Sequence, residues 1–235
     1  MMPIKEESEG PPLASHGPYQ SPALVRWMRQ QRLLLKLSPK HEAMGMKSAV
    51  SLGWLIPDDT RRTFERLGAA LELIAVFAPA RLAQLHRDID LIWITLLPGV
   101  LGSYRQSLGW CAIDAEWMLE GGTSDAEIAS TIIHEATHAR LYRLGFRYEA
   151  ARHVREERIC FKTERNFGFR LPLDIGKQII EQAERNLVRD PAVFTDEARE
   201  TREMKFLRDA GMPEWLVRWL ARRGHAFRRK SSRNS

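Results

Sequence analysis

Cysteine is almost absent from this chain: Cys111 and Cys160 are the only two among 235 residues. Two thiols cannot build the disulfide framework of a small secreted domain, and a four-cysteine zinc site is excluded. Both are expected as buried free thiols. Long apolar runs are missing as well. The best stretch, Leu67 to Leu85, is broken by Glu72, Pro79, Arg81 and Gln84, short of the about 18 uninterrupted residues a membrane span needs. The opening MMPIKEESEGPP has no apolar core for a secretory signal, so a cytoplasmic location is expected. No internal repeat of useful length is found.

Acid is missing from the last fifteen residues. Ala221 to Ser235 carry Arg222, Arg223, Arg228, Arg229, Lys230 and Arg233. They account for the whole net charge of +6, leaving 30 basic against 30 acidic residues in the body. Such a tail suits an anionic partner, nucleic acid or a membrane surface, although a solvated end is the plainer account. With 44% apolar and 28% charged residues, the body has an ordinary globular composition. Residues 1–20, rich in Pro, Ser, Gly and Glu, are expected to be disordered, and 224–235 to form a basic disordered tail. A single domain is expected over 21–223.

Along that domain, LVRWMRQQRLLLKL places Leu24, Trp27, Met28, Leu34 and Leu35 on one helical face, to pack on the domain or lie on a membrane. A helix follows Pro57-Asp58-Asp59, is interrupted at Pro79 and resumes in RLAQLHRD. Leu91 to Leu97 is a β-branched and aromatic run closed by Pro98-Gly99, the signature of a strand. Residues 107–119 are a second strand candidate, with Trp93, Trp110 and Trp117 expected in the core and an edge able to pair with an extended substrate. Ser124 to Leu144 is the clearest helix, with a capping box in Ser124 and Glu127 and a stop at Gly145. Helices are expected from about Tyr148 to Phe167 and in three later segments, the last opened by Pro213.

Within the helix begun at Ser124 lies IIHEATHARL. Residues four apart on an α-helix sit roughly 40° apart on one face, so His134 and His138 can aim two imidazoles at one point. Glu135, about 100° around from His134, is poorly placed as a ligand. It is well placed to reach a metal-activated water as general base.

IIHEATHARL and the residues after it resemble the zincin metallopeptidases. The resemblance implies Zn²⁺, a strand beside the cleft, an active-site helix with both histidines, and a third ligand on a following helix. The metzincin branch needs Gly and His where this chain has Leu141 and Leu144. The gluzincin branch needs a glutamate after eighteen or nineteen intervening residues. Eighteen separate His138 from Glu157, which shares a helical face with Val154 and Phe161. Glu156 and His153 are the alternatives. Gluzincins often carry an acid four residues after that glutamate to orient a histidine. Here the position is Phe161, and Glu164 either takes over the task or is simply solvated. The resemblance covers about 91–170.

These expectations amount to a helix-rich α+β fold, a small sheet packed on an HExxH helix with additional terminal helices. The expected activity is zinc-dependent hydrolysis of a peptide or protein substrate. Metal ligands would be His134, His138 and Glu157, with Glu135 as base and Tyr148 as oxyanion donor; Tyr142 and Tyr104 are its alternatives. Cys160 could approach the metal, or be a small buried apolar residue. Arg140, Arg143 and Arg147 could bind a substrate carboxylate, or be solvated helix charges. The rival function is a non-catalytic metal-binding or regulatory protein that docks a partner through its basic terminal helices or tail.

Overall fold

The computed structural model describes residues 35–37, 46–51, 57–97, 99–146, 150–209, 211–215 and 217–219. The expected disordered start, the helical pattern from Leu24 to Leu34, Tyr148, Arg147 and the basic tail all lie outside them.

The architecture is α+β and helix-rich, with one small mixed sheet. In chain order come strands β1 (Leu35–Leu37) and β2 (Ser48–Ser51), then helices α1 (Pro57–Phe77) and α2 (Pro79–Asp88). Strands β3 (Leu91–Thr95), β4 (Gly102–Arg105) and β5 (Trp110–Asp114) follow, then helices α3 (Ala115–Leu119) and α4 (Asp125–Arg143). Helices α5 (Ala150–Gly168) and α6 (Leu173–Leu187), a 3-10 turn at Pro191–Phe194 and helix α7 (Asp196–Asp209) complete the order. Among the described residues no helix is long and apolar enough to cross a membrane.

The sheet order is β1-β2-β3-β5-β4. The central strands β2, β3 and β5 run parallel, and β1 and β4 are antiparallel edges. Two readings are corrected here. Leu35–Leu37, the end of the expected helical pattern, is strand. The segment 107–119 is not an edge: it holds strand β5, in the interior of the sheet, followed at once by helix α3. Asp114 makes that break. Its Oδ1 accepts from Trp117 N at 2.8 Å, and its Oδ2 from Leu97 N at 2.6 Å. A side chain that caps a helix ends the strand before it.

Alternation divides the sheet faces. Ile92, Ile94, Cys111 and Ile113 enter the main core with the helices. Leu91 and Trp110 turn to the other face with Ala49, where Trp93 packs edge-on to Trp110 at 5.9 Å. The hairpin from β4 to β5 closes at Gly109, which needs φ +67 and has Asp90 Oδ2 only 2.4 Å from where a Cβ would stand. Only glycine fits both demands.

Leu67, Ala70, Leu71 and Ile74 give α1 its fully buried stripe, at the three-and-four spacing of a helix. Pro79 starts α2, where its missing N–H costs no helical bond. Helix α4 crosses this core with Ile128, Ile132, Ile133, Ala136 and Ala139 buried. Its capping box forms as expected: Ser124 N donates to Glu127 Oε2 at 2.7 Å, and Glu127 N to Ser124 Oγ at 3.2 Å. Gly145, at φ 89, lets the chain turn away after the last helical turn. From α1, Arg66 fixes the start of α4 by donating to Asp125 Oδ1 at 2.9 Å and to the carbonyls of Met118 and Thr123.

Candidate metal centre

Because Ile132, Ile133 and Ala136 anchor α4 in the core, its opposite side is committed to a cleft, and His134 and His138 stand there. Their Nε2 atoms are 3.2 Å apart. Helix α5 packs alongside and inserts Glu157. Its Oε2 lies 3.3 Å from His134 Nε2, and its Oε1 3.3 Å from His138 Nε2. For ligands roughly 2.0–2.1 Å from a tetrahedral zinc, the ligand-to-ligand edge is about 3.3–3.4 Å. The three donors are spaced to that edge.

The electrostatics fit a cation. Burial pushes the His134 imidazole down, but Glu164 and Glu157 outweigh it and hold its pKa well above the usual range. Burial would raise Glu157, yet hydrogen bonds to His134 and His138 keep it well below the carboxylate range. The carboxylate therefore stays ionised beside imidazoles. A divalent cation would displace the proton that the group otherwise holds.

Glu164 is not a solvated acid. Its Oε1 takes the Nδ1 side of His134, and its Oε2 accepts from Ser130 Oγ at 3.1 Å. Nδ1 is thereby occupied, and Nε2 faces Glu157. The place of the acid four residues after Glu157 goes to Phe161, whose ring meets His134 edge-on at 5.1 Å. His153 Nε2 touches Glu157 Oε1 at 3.4 Å. Glu156 is buried in the cleft wall. Cys160 is fully buried one turn beyond Glu157, with its Sγ and a nitrogen of each histidine all within 4.8 Å of one another. Its thiol is pushed far up by burial and then by Glu157, Glu135, Glu164 and Glu156, so it carries its proton.

Glu135 is 7% exposed and faces the edge strand. A Cβ on Gly102 of β4 would lie 3.0 Å from Glu135 Oε1 and 2.8 Å from Thr131 Cγ2. The missing side chain lets strand and helix meet at that close distance. Tyr104, two residues on, also lines the cleft. Burial first, then Tyr142, Asp90 and Asp88, push its phenol up to about 12. Tyr142 sits 6.3 Å from it, ring to ring.

The cleft, of about 610 Å³, runs between β4 and a wall built from α6, the 3-10 turn and α7. That wall includes Arg189 and Arg202, which sequence reading did not single out. Of the arginines it did single out, Arg147 lies outside the described residues and the other two are otherwise engaged. Arg140 donates to Gln84 Oε1 at 3.1 Å, and Arg143 pairs with Asp88 at 2.6 Å. No sequence signal marks Arg189 or Arg202, since only the packing of α6 and α7 brings them to the cleft. Comparison of the chain with protein-family models, with curated proteins and with solved structures finds no match.

Proposed function

We propose that this protein is a zinc-dependent hydrolase of peptide bonds with a zincin-like active site. One observation carries the reading: two imidazole nitrogens and a carboxylate at 3.2–3.3 Å, in a cleft that also holds a buried glutamate. His134, His138 and Glu157 would hold the metal, and Glu164 would fix the orientation of His134. When bound, zinc supplies Lewis acidity to a water and to a substrate carbonyl.

The chain's own residues do the rest. Glu135 accepts the proton of the attacking water and delivers it to the departing amine nitrogen, so a single carboxylate serves as base and then acid. Its burial beside Gly102 holds the carboxylate in the cleft. The edge strand β4 offers backbone groups to an extended peptide. Tyr104 takes the role of hydroxyl donor to the developing oxyanion in this reading, because it lines the cleft. The expected donor, Tyr148, lies outside the described residues.

The nearness of Cys160 to both histidines favours a second reading, a closed four-ligand structural site without turnover. Elemental mass spectrometry and a peptide-library digest separate the two. The hydrolase reading expects about one zinc per chain in wild type, Glu135→Gln and Cys160→Ser, with marked loss in His138→Ala and Glu157→Ala. Hydrolysis should fall about 10²-fold or more in Glu135→Gln. Zinc lost in Cys160→Ser, with no cleavage by wild type, would establish the closed site instead.

A further inference from the structure

We infer that Arg189 and Arg202 form a carboxylate-recognising subsite, so that the substrate is a peptide bearing an acidic group a few residues from the bond cleaved; this rests on the hydrolase reading above. The wall that carries them is fixed by local hydrogen bonds. Asp190 is committed to the 3-10 turn, where its Oδ1 accepts from Ala192 N at 2.9 Å. Thr195 Oγ1 donates to Ala192 O at 3.0 Å and accepts from Ala198 N at 3.3 Å at the start of α7.

Neutral acceptors hold both guanidinium groups. Arg202 Nη1 donates to Val193 O at 2.8 Å, and Arg189 Nη1 to Asn186 Oδ1 at 3.4 Å. Among the described residues neither has a carboxylate within 4.0 Å. Elsewhere such pairs are common: Arg66 with Asp125, Arg143 with Asp88 and Arg208 with Glu214. A guanidinium has five N–H donors, so each keeps several for a ligand.

Charge in the cleft is unevenly distributed. Glu127, Glu135, Glu156, Glu157 and Glu164 line the side of α4 and α5, Glu127 also accepting from Gln178 of α6 at 2.9 Å, whereas Arg189 and Arg202 are the only lysine or arginine side chains lining it among the described residues. An anionic group entering the cleft is repelled on one side and accepted on the other, by guanidinium groups whose forked donors suit carboxylates. The acceptor is close to the metal ligands. Phe194, adjacent to the carbonyl that Arg202 grips, packs on Phe161 at 5.5 Å, and Phe161 packs on His134 at 5.1 Å. An extended peptide advances about 3.3 Å per residue, so a peptide lying along the cleft reaches this wall within a few residues of the scissile bond.

The carboxylate can belong to an Asp or Glu side chain or to the peptide's C-terminus. The test is a digest of two proteome-derived peptide libraries, one with free and one with amidated C-termini, by the full-length zinc-loaded protein. Cleavage sites are read by mass spectrometry. Acidic residues should be enriched about three- to fivefold at one position within four residues of the cut, or cleavage should cluster near free C-termini. Enrichment that survives amidation assigns the side chain; a preference lost on amidation assigns the C-terminus. The Arg189→Gln/Arg202→Gln double variant should lose the preference with zinc content and melting temperature unchanged, and Arg202→Glu should shift it toward Lys and Arg. Cleavage without acidic preference, or a preference that the double variant keeps, overturns this subsite and leaves the hydrolase reading standing. Failure of zinc-loaded wild type to cut either library overturns both.

Discussion

Glu164 determines which nitrogen His134 presents. With Nδ1 engaged by this carboxylate and the carboxylate itself steadied by Ser130, the imidazole shows Nε2 to Glu157 and His138. Replacing Glu164 by Gln keeps size and burial but removes the charge that makes the imidazole a better donor. Zinc affinity should fall about 10- to 100-fold with helix content unchanged. Competition against a chelator of defined affinity measures the fall, and an unchanged affinity would make Glu164 a bystander. At this scale the sequence is readable where the chemistry lies within one helix. His134, Glu135 and His138 follow from the period of α4 alone. Glu164, Arg189 and Arg202 do not, because their places depend on the register at which α5, α6 and α7 pack, which no local pattern encodes. Glu157 falls between: the resemblance to gluzincins suggested it, and the packed structure brings both its oxygens to the histidines.

Between elements, the decisive contact is β4 on α4. Adding a methyl group at Gly102 would put it 2.8 Å from Thr131 and 3.0 Å from Glu135. Either the edge strand backs away or the Glu135 side chain turns, and both move Glu135, the proposed base, relative to His134, His138 and Glu157. Gly102→Ala should therefore lower hydrolysis about tenfold or more while zinc content holds, since small misplacements of a reacting group are costly. Activity equal to wild type would show that the strand adjusts without disturbing Glu135. The same strand marks where sequence patterns stop informing. Helix α4 was legible because a capping box and a glycine stop bound it, and β3 because its residues are β-branched and aromatic. Strand β4, Gly-Ser-Tyr-Arg, is four residues with no alternation to detect. β5 is buried on both faces, so it lacks the period-two pattern and merged with α3 into one expected strand. β1 sat inside a helical pattern and became strand through pairing with β2, a tertiary choice over a local one.

For the molecule as a whole, the question is whether a metal held by His134, His138 and Glu157 would hold the fold together or ride on it. The main core joins Leu67, Leu71 and Ile74 of α1, the β3 and β5 isoleucines, Ile128 and Ile132 of α4, and Phe167 and Ile179 of α5 and α6. Both helices that carry the donors are thus buried through other residues, and Arg66 secures the start of α4 independently. Chelation should accordingly leave the far-ultraviolet circular dichroism spectrum at 25 °C unchanged. It should still lower the melting temperature. Zinc free at about 100 times its dissociation constant stabilises the folded state by about 2.7 kcal/mol. For a chain of this size that corresponds to roughly 5–10 °C. The shift should vanish in His138→Ala, which cannot gain from added zinc. Loss of helical signal on chelation would mean the opposite: a core too weak to stand alone, with the metal acting as a structural clamp and Cys160 the natural fourth ligand. A protein that stays folded without a bound metal can leave one side of the site free for substrate, and that is what the proposed hydrolysis at this cleft would require.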